Sequence, residues 1–217
     1  MPNFSQLNPE ELQKLTTLEK KEGNIYVLTL HFKTFSPKAV HALHMRVDEL
    51  EAIEGPMALI TTCDHPKMYS AGLNFGVFAQ QKMEIYGFLW LFNRLLSRWV
   101  KLSFPTIACI NGHCYAAGYM LAIAHDFRVM REELGNICVS EINIGAVIPK
   151  GMIQLMKMKL RPDVVRDLIV FGTKFNGRES EKLGLVDKCL PMAQIMDHSM
   201  SLARAFVKKS TFRFHMG

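Results

Sequence analysis

Met68-Tyr-Ser-Ala-Gly-Leu-Asn-Phe75 and Asn111-Gly-His-Cys-Tyr-Ala-Ala-Gly118 are the two stretches on which the reading of this 217-residue chain turns. In the first, Ser70, Ala71 and Gly72 stand in a row between an apolar segment and a helix, and a backbone that bare can approach a ligand closely. In the second, Ala116, Ala117 and Gly118 open the apolar run Tyr119 to Ala124. Unsatisfied N–H groups and the dipole at such a helix start favour negative charge. Two N–H groups aimed at one oxygen would stabilise an oxyanion without reorganising as charge develops. For either stretch alone the alternative is an ordinary Gly-containing turn.

A third stretch makes the setting specific: Ile137-Cys-Val-Ser-Glu141-Ile-Asn-Ile-Gly145. Its carboxylate stands among β-branched residues, where partial desolvation raises a pKa toward the range useful for a general base. With Pro105-Thr-Ile-Ala-Cys-Ile-Asn-Gly-His113, His125-Asp126, Gly172 to Ser180 and Leu183-Gly-Leu-Val-Asp187, the chain resembles the crotonase family of enoyl-CoA hydratases and isomerases. Within it the Δ3,Δ2-enoyl-CoA isomerases are most similar. The likeness runs over roughly residues 24 to 190, in the family's order and spacing.

The resemblance implies that the N–H groups of Leu73 and Ala117 form an oxyanion hole and that Glu141 is the catalytic base. Ser70, Ala71, Gly72, Asn74 and Gly118 are implied around the substrate. Family hydratases carry a second acid on the helix after the second motif, and here Met120 occupies that position. One carboxylate can move a proton between two carbons but leaves no second group to activate water, so the expected reaction is isomerisation of an acyl-CoA thioester. Two alternatives stay open: a non-catalytic crotonase-fold binding or assembly subunit, and a hydratase using another group in place of the missing acid. Lys33, with Lys38, stands where family members approach coenzyme A, although two solvated lysines beside a helix start are the plainer reading. Phe88 and Trp90 fall where the family walls its acyl pocket, against a plain core-packing role. No cofactor is expected beyond the coenzyme A of the substrate, and a homotrimer is implied.

Three features depart from the family pattern. Asn74 replaces a common acidic residue, the second motif reads Ala-Ala-Gly, and the sequence stops at Gly217 soon after a helical segment. The first two leave the backbone donors in place. The expected fold is α/β, a crotonase-like spiral of ββα units with a shortened C-terminal helical region. It divides into an N-terminal arm (1–22), a core (23–190) and a C-terminal helical segment (191–217), the shortness of which bears on closure over the acyl-CoA and on trimer packing.

Composition agrees with this reading without dictating it. An apolar content of 49% suits one large domain or a domain with a helical appendage. The net charge of +6 is scattered, with no basic stripe or interleaved stacking residues, so nucleic acid is not an expected partner; the phosphates of coenzyme A suffice as an anionic one. The five cysteines have apolar neighbours and no two-residue spacing, which reads as reduced buried thiols. No metal site is expected; ligation by Cys109, Cys114 and His113 is the sharper alternative. The longest apolar stretches are too short or interrupted to span a bilayer. Met1 to Gln6 carries neither a signal nor a transit pattern, and His215-Met-Gly217 is not a peroxisomal tripeptide, whereas the resemblance implies a peroxisomal or mitochondrial setting.

The apolar patterns predict strands over Asn24–Leu30, Met57–Thr62, Thr106–Ile110, Phe127–Met130 and Asn136–Val139. Helices are predicted over Pro37–Ile53, Phe78–Lys101, Ala117–Ala124, Gly151–Leu160, Pro162–Val170 and Ala193–Lys209. In the second of these, Ile85, Leu89, Phe92, Leu96 and Trp99 recur at alternating steps of four and three and form its buried stripe. Residues 1–22 read as a loosely packed arm, with a short helix possible near Pro9–Lys20.

Overall fold

A computed structural model of the chain describes residues 8–74, 76 and 82–212. Phe75 and the start of the helix expected from Phe78 lie outside them. The chain enters through a one-turn helix, α1 (Pro9–Gln13), capped by Asn8, whose side-chain oxygen accepts the Glu10 N–H at 3.0 Å. A strand follows, β1 (Thr16–Lys21), antiparallel along its whole length to β2 (Ile25–Leu30). The loosely packed arm is therefore corrected to a short helix and an edge strand of the main sheet. The sequence Thr-Thr-Leu-Glu-Lys-Lys hides this strand because it has no apolar alternation. Its charged outer end suits an edge, where lysines discourage pairing with another chain.

The main sheet has the order β1-β2-β3-β5-β7-β10, with β3 (Ala58–Cys63), β5 (Thr106–Ile110), β7 (Phe127–Arg131) and β10 (Lys188–Leu190) parallel to β2. A smaller sheet has the order β4-β6-β8-β9, from β4 (Met68–Ser70), β6 (His113–Tyr115), β8 (Asn136–Cys138) and β9 (Phe175–Asn176). The chain alternates between the two. One strand of the large sheet is followed by one of the small sheet and then by helix: β3, β4, α3 (Lys82–Val100); β5, β6, α4 (Ala117–Ala124); β7, β8, α5 (Lys150–Lys159) and α6 (Pro162–Ile169). This is the expected spiral of ββα units. The small-sheet strands escape sequence reading because two or three residues are too few to show a period of two.

The large sheet is buried on both faces, as a mostly parallel sheet must be. Leu28, Leu30, Leu59, Ala108, Ile110 and Met130 point into the main core, against α2 (Pro37–Glu51), α3 and α4. Their neighbours Ile25, Val27, Ala58, Ile60, Ile107, Cys109 and Val129 point the other way, onto α8 (Met192–Phe206) through Ile195 and Ala203. A 3₁₀ turn over Val207–Phe212 continues α8, where the sequence pattern predicted one helix to Lys209. Between β9 and β10 the chain forms α7 (Gly177–Leu183), whose start is capped by a reciprocal capping box of Asn176 and Glu179.

Inside the main core Trp99 Nε1–H and the Thr61 hydroxyl both meet His125 Nε2, at 3.1 and 3.0 Å. The other ring nitrogen lies 2.8 Å from the Leu121 carbonyl, so the network fixes a neutral imidazole protonated at Nδ1. Burial pushes its pKa down to about 4. No described helix is long and apolar enough to cross a membrane.

Candidate active site

The first small-residue stretch runs beside the segment after β2. Ala71 N–H donates to the Lys33 carbonyl (2.6 Å), Phe35 N–H to the Gly72 carbonyl (2.9 Å), and Asn74 N–H to the Phe35 carbonyl (2.8 Å). Gly72 N–H bonds to Ser70 Oγ at 3.2 Å. From Ala71 to Asn74, only the Leu73 N–H has no acceptor among the described residues. In a trans peptide the N–H opposes the preceding C=O. With the Gly72 carbonyl held by Phe35, the Leu73 N–H is turned away from that segment.

The same logic fixes the second donor. Ala116 N–H donates to the Cys138 carbonyl at 2.7 Å, and the Ala116 carbonyl accepts from Tyr119 (2.9 Å) and Met120 (3.2 Å). The peptide plane shared with Ala117 is thereby set, and the Ala117 N–H points out of the start of α4 as one of its orphan donors. Ala116 itself lies at φ 51°, ψ −125°, a conformation alien to a residue with a β-carbon and costing on the order of 1–3 kcal/mol.

Glycines bring the two loops together. A β-carbon on Gly72, whose φ is +93°, would stand 2.9 Å from Ala116 Cβ and 3.3 Å from the Ala117 nitrogen. One on Gly118 would stand 2.6 Å from Ser70 Cβ and 2.8 Å from its carbonyl oxygen. Ser70 and Gly118 are thus the packing contact behind the donors.

Glu141 opens a 3₁₀ turn, Glu141–Ile144, that ends at left-handed Gly145. Its Oε2 is buried with no hydrogen-bond partner among the described residues. Burial raises the carboxyl pKa, outweighing the lowering effect of its own backbone N–H. Glu141, Leu73, Ala117, Ala71 and Ala116 line one cleft of about 120 Å³. Glu141, with its free oxygen, and the two residues that carry outward-turned N–H groups therefore line a common space. That arrangement can take a proton from a carbon and hold the negative charge that results.

The remaining sequence-predicted residues divide. Gly72, Ser70 and Gly118 support the loops, and the Asn74 side chain accepts the Gly76 N–H at 3.2 Å. Met120 is fully buried in the core. So is Phe88, whereas Trp90 is 57% exposed beneath the Arg94 guanidinium. Neither lines the cleft; Leu89, between them, does. Lys33 is exposed and contributes its carbonyl, while Lys38 is paired with Glu11 at 2.6 Å. Sequence reasoning missed Ser140, Ile144, Val147, Pro149 and Met152 as cleft residues. Proximity to Glu141 was the one clue to them. Among the described residues no cluster of three or more His, Cys, Asp or Glu could hold a metal ion.

Several known proteins are similar to this chain. Enoyl-CoA delta isomerase 3 of Arabidopsis thaliana is 29% identical over 182 residues, covering 80% of this chain and 76% of that protein. The peroxisomal enoyl-CoA delta isomerase 2 of the same plant is 28% identical over 183 residues, with the same coverage. The crystal structure of an enoyl-CoA hydratase from Bacillus anthracis superposes with a TM-score of 0.82 at 20% identity, over 88% of this chain and 76% of that one, which speaks to the fold alone. The enoyl-CoA hydratase/isomerase family profile matches residues 20–216, nearly the whole chain, and the chain belongs to that family.

Proposed function

We propose that this protein is a Δ3,Δ2-enoyl-CoA isomerase. The observation that carries the reading is the solitary carboxylate. Glu141 is the one acid among the described residues lining the cleft, and Met120, at the family's second acid position, is buried in the core. Glu141 removes a C2 proton from a 3-enoyl thioester. The C–H electron pair forms a C1–C2 double bond as the carbonyl pair moves onto the thioester oxygen, which faces the Leu73 and Ala117 N–H groups. When the carbonyl re-forms, the C1–C2 pair shifts to C2–C3 and the C3–C4 pair takes up a proton at C4. Protonated Glu141 then delivers the same proton to C4, giving the 2-enoyl thioester with no net consumption of water. Hydration would need a second acid to activate water, and apart from Glu141 and the Ser140 hydroxyl the side chains lining the cleft, among them Leu89, Ile144 and Met152, are apolar.

The test is a coupled assay with trans-3-hexenoyl-CoA on the protein and on Glu141→Gln. Turnover that falls by roughly 10²–10⁴-fold in the variant supports the base assignment. Equal turnover in both overturns it, and water addition to a 2-enoyl thioester would favour a hydratase. Absence of turnover in a folded protein that joins a larger complex would favour a binding or assembly role. The proposed working unit is a homotrimer, by the family resemblance, and light scattering at three times the chain mass checks it. The proposed compartment is the peroxisome, by likeness to the relative named for it.

A further inference from the structure

Away from the cleft, at the edge of the main sheet, three side chains stand in line. Thr17 lies on the edge strand β1, His31 directly follows β2, and Asp64 directly follows β3. Thr17 is registered against Thr29, so its side chain shares a face of the sheet with that of His31, two residues on. Thr17 Oγ1 lies 2.5 Å from His31 Nε2, and His31 Nδ1 lies 2.7 Å from Asp64 Oδ2. The line is open to solvent, with the His31 side chain 30% and the Asp64 side chain 53% exposed. Main-chain bonds already hold its members: His31 N–H donates to the Leu15 carbonyl (3.0 Å) and Asp64 N–H to the Leu30 carbonyl (3.1 Å).

An ionised carboxylate can only accept, so His31 Nδ1–H donates to Asp64, and in the neutral ring Nε2 is left to accept the Thr17 O–H. Hydroxyl, imidazole and carboxylate joined in that order make an activated nucleophile: a base on the hydroxyl, and an acid group that holds the base in the right tautomer. The register also supplies a donor. Opposed residues of an antiparallel pair alternate between exchanging both main-chain bonds and exchanging none. Since His31 N–H is bonded to Leu15, the pair Thr17 and Thr29 is a bonded one, and the main-chain groups of Thr16 and Leu18 turn to the open edge. Arg46 Nη2 indeed donates to the Thr16 carbonyl at 2.8 Å. The Leu18 N–H, next in the chain after Thr17, therefore has no strand partner and is available to an oxyanion formed on Thr17.

We propose that Thr17, His31 and Asp64 form a second, acyl-accepting site that takes acyl groups from activated esters and thioesters. The site is separate from the Glu141 cleft and does not depend on the isomerase reading. Thr17 Oγ attacks the acyl carbon while His31 Nε2 takes its proton, and the carbonyl pair moves onto the oxygen. When that pair returns, the bond to the leaving oxygen or sulfur breaks with its electrons, and the imidazolium gives its proton to the leaving group. The products are an ester on Thr17 and a free alcohol or thiol. Asp64 touches only His31 and is a positioning residue. One main-chain donor at an exposed site stabilises the oxyanion modestly, which restricts the donors to compounds with good leaving groups.

The test is release of p-nitrophenol from p-nitrophenyl acetate by the full chain, with the acetylated residues located by tandem mass spectrometry after acid quenching. Acetyl on Thr17, and release that falls by about 10²-fold or more in Thr17→Val and His31→Gln, supports the site. Thr17→Ser should keep the reaction, which separates loss of the hydroxyl from damage to the strand. Asp64→Asn should slow release comparably and Asp64→Glu restore part of it, a rescue that a merely structural carboxylate would not show. Release unchanged in Thr17→Val, or acetyl found on lysines alone, overturns the proposal. Release unchanged in Asp64→Asn overturns the three-residue arrangement. The substituted side chains lie at an open corner of the sheet, and Thr17→Val keeps the shape of the original.

Discussion

Gly72 and Ala116 meet so closely that a β-carbon on the glycine would lie 2.9 Å from the one the alanine already has. The contact carries the Leu73 and Ala117 amides on either side of it. Gly72→Ala must therefore shift one loop, and it also forces a side chain onto φ +93°. A fall in kcat of about 10²–10³-fold is expected, the cost of misplacing an oxyanion donor. Far-UV dichroism should show the fold retained; unchanged turnover in a folded variant would contradict the assignment of the Leu73 amide.

Glu141 works against folding. Its pKa is raised in the folded chain, so below the folded value the native state binds more protons than the unfolded one, and stability falls as pH rises through that range. Glu141→Gln should accordingly raise the melting temperature at neutral pH by a few degrees while abolishing turnover. The same shift predicts that wild-type kcat/KM declines on the acid side through a pKa above that of an ordinary glutamate. Calorimetric scans and a pH–rate profile check the two halves separately.

His125 makes the opposite demand at low pH. Its folded pKa of about 4 lies below its ordinary 6.5. The stability it contributes is complete above 6.5 and is lost as pH falls toward 4, a swing on the order of 3 kcal/mol. His125→Gln should be less stable than the wild type at neutral pH, yet lose less on acidification. Urea unfolding at about pH 7 and pH 5 measures the difference of slopes; parallel slopes would remove His125 as the acid-sensitive group.

Ala116 holds a conformation that glycine adopts freely. Ala116→Gly relieves that strain and gives back part of it as greater freedom of the unfolded chain, so a net gain of about 1 kcal/mol is expected. A loss of stability would mean that the Ala116 methyl packs more productively against Gly72 than its backbone strain costs.

How far the sequence leads depends on how local each feature is. The two small-residue stretches and Glu141 stand out in consecutive residues, and residues of all three line one cleft. Phe88 and Trp90 flank Leu89, and only Leu89 lines the cleft, because one step along a helix turns a side chain by about 100°. The apolar stripe through Ile85, Leu89 and Phe92 already had the right phase. The strand Thr16–Lys21 was invisible because its pairing with β2 is made by main chain and its second half, Glu19 to Lys21, is exposed and charged. The meeting of Thr61, Trp99 and His125 joins three separate elements, and no spacing announces it.

The two proposed donors belong to the main chain, so no substitution at Leu73 or Ala117 other than proline deletes them. A saturation scan read only for lost turnover should find these two positions forgiving toward side chains of similar size. Sensitivity should concentrate at Gly72, Ser70 and Gly118, whose task is to let two loops touch. Selection would then bear hardest on the neighbours of the working groups, and the site could pass through extensive side-chain drift while its chemistry stayed in place.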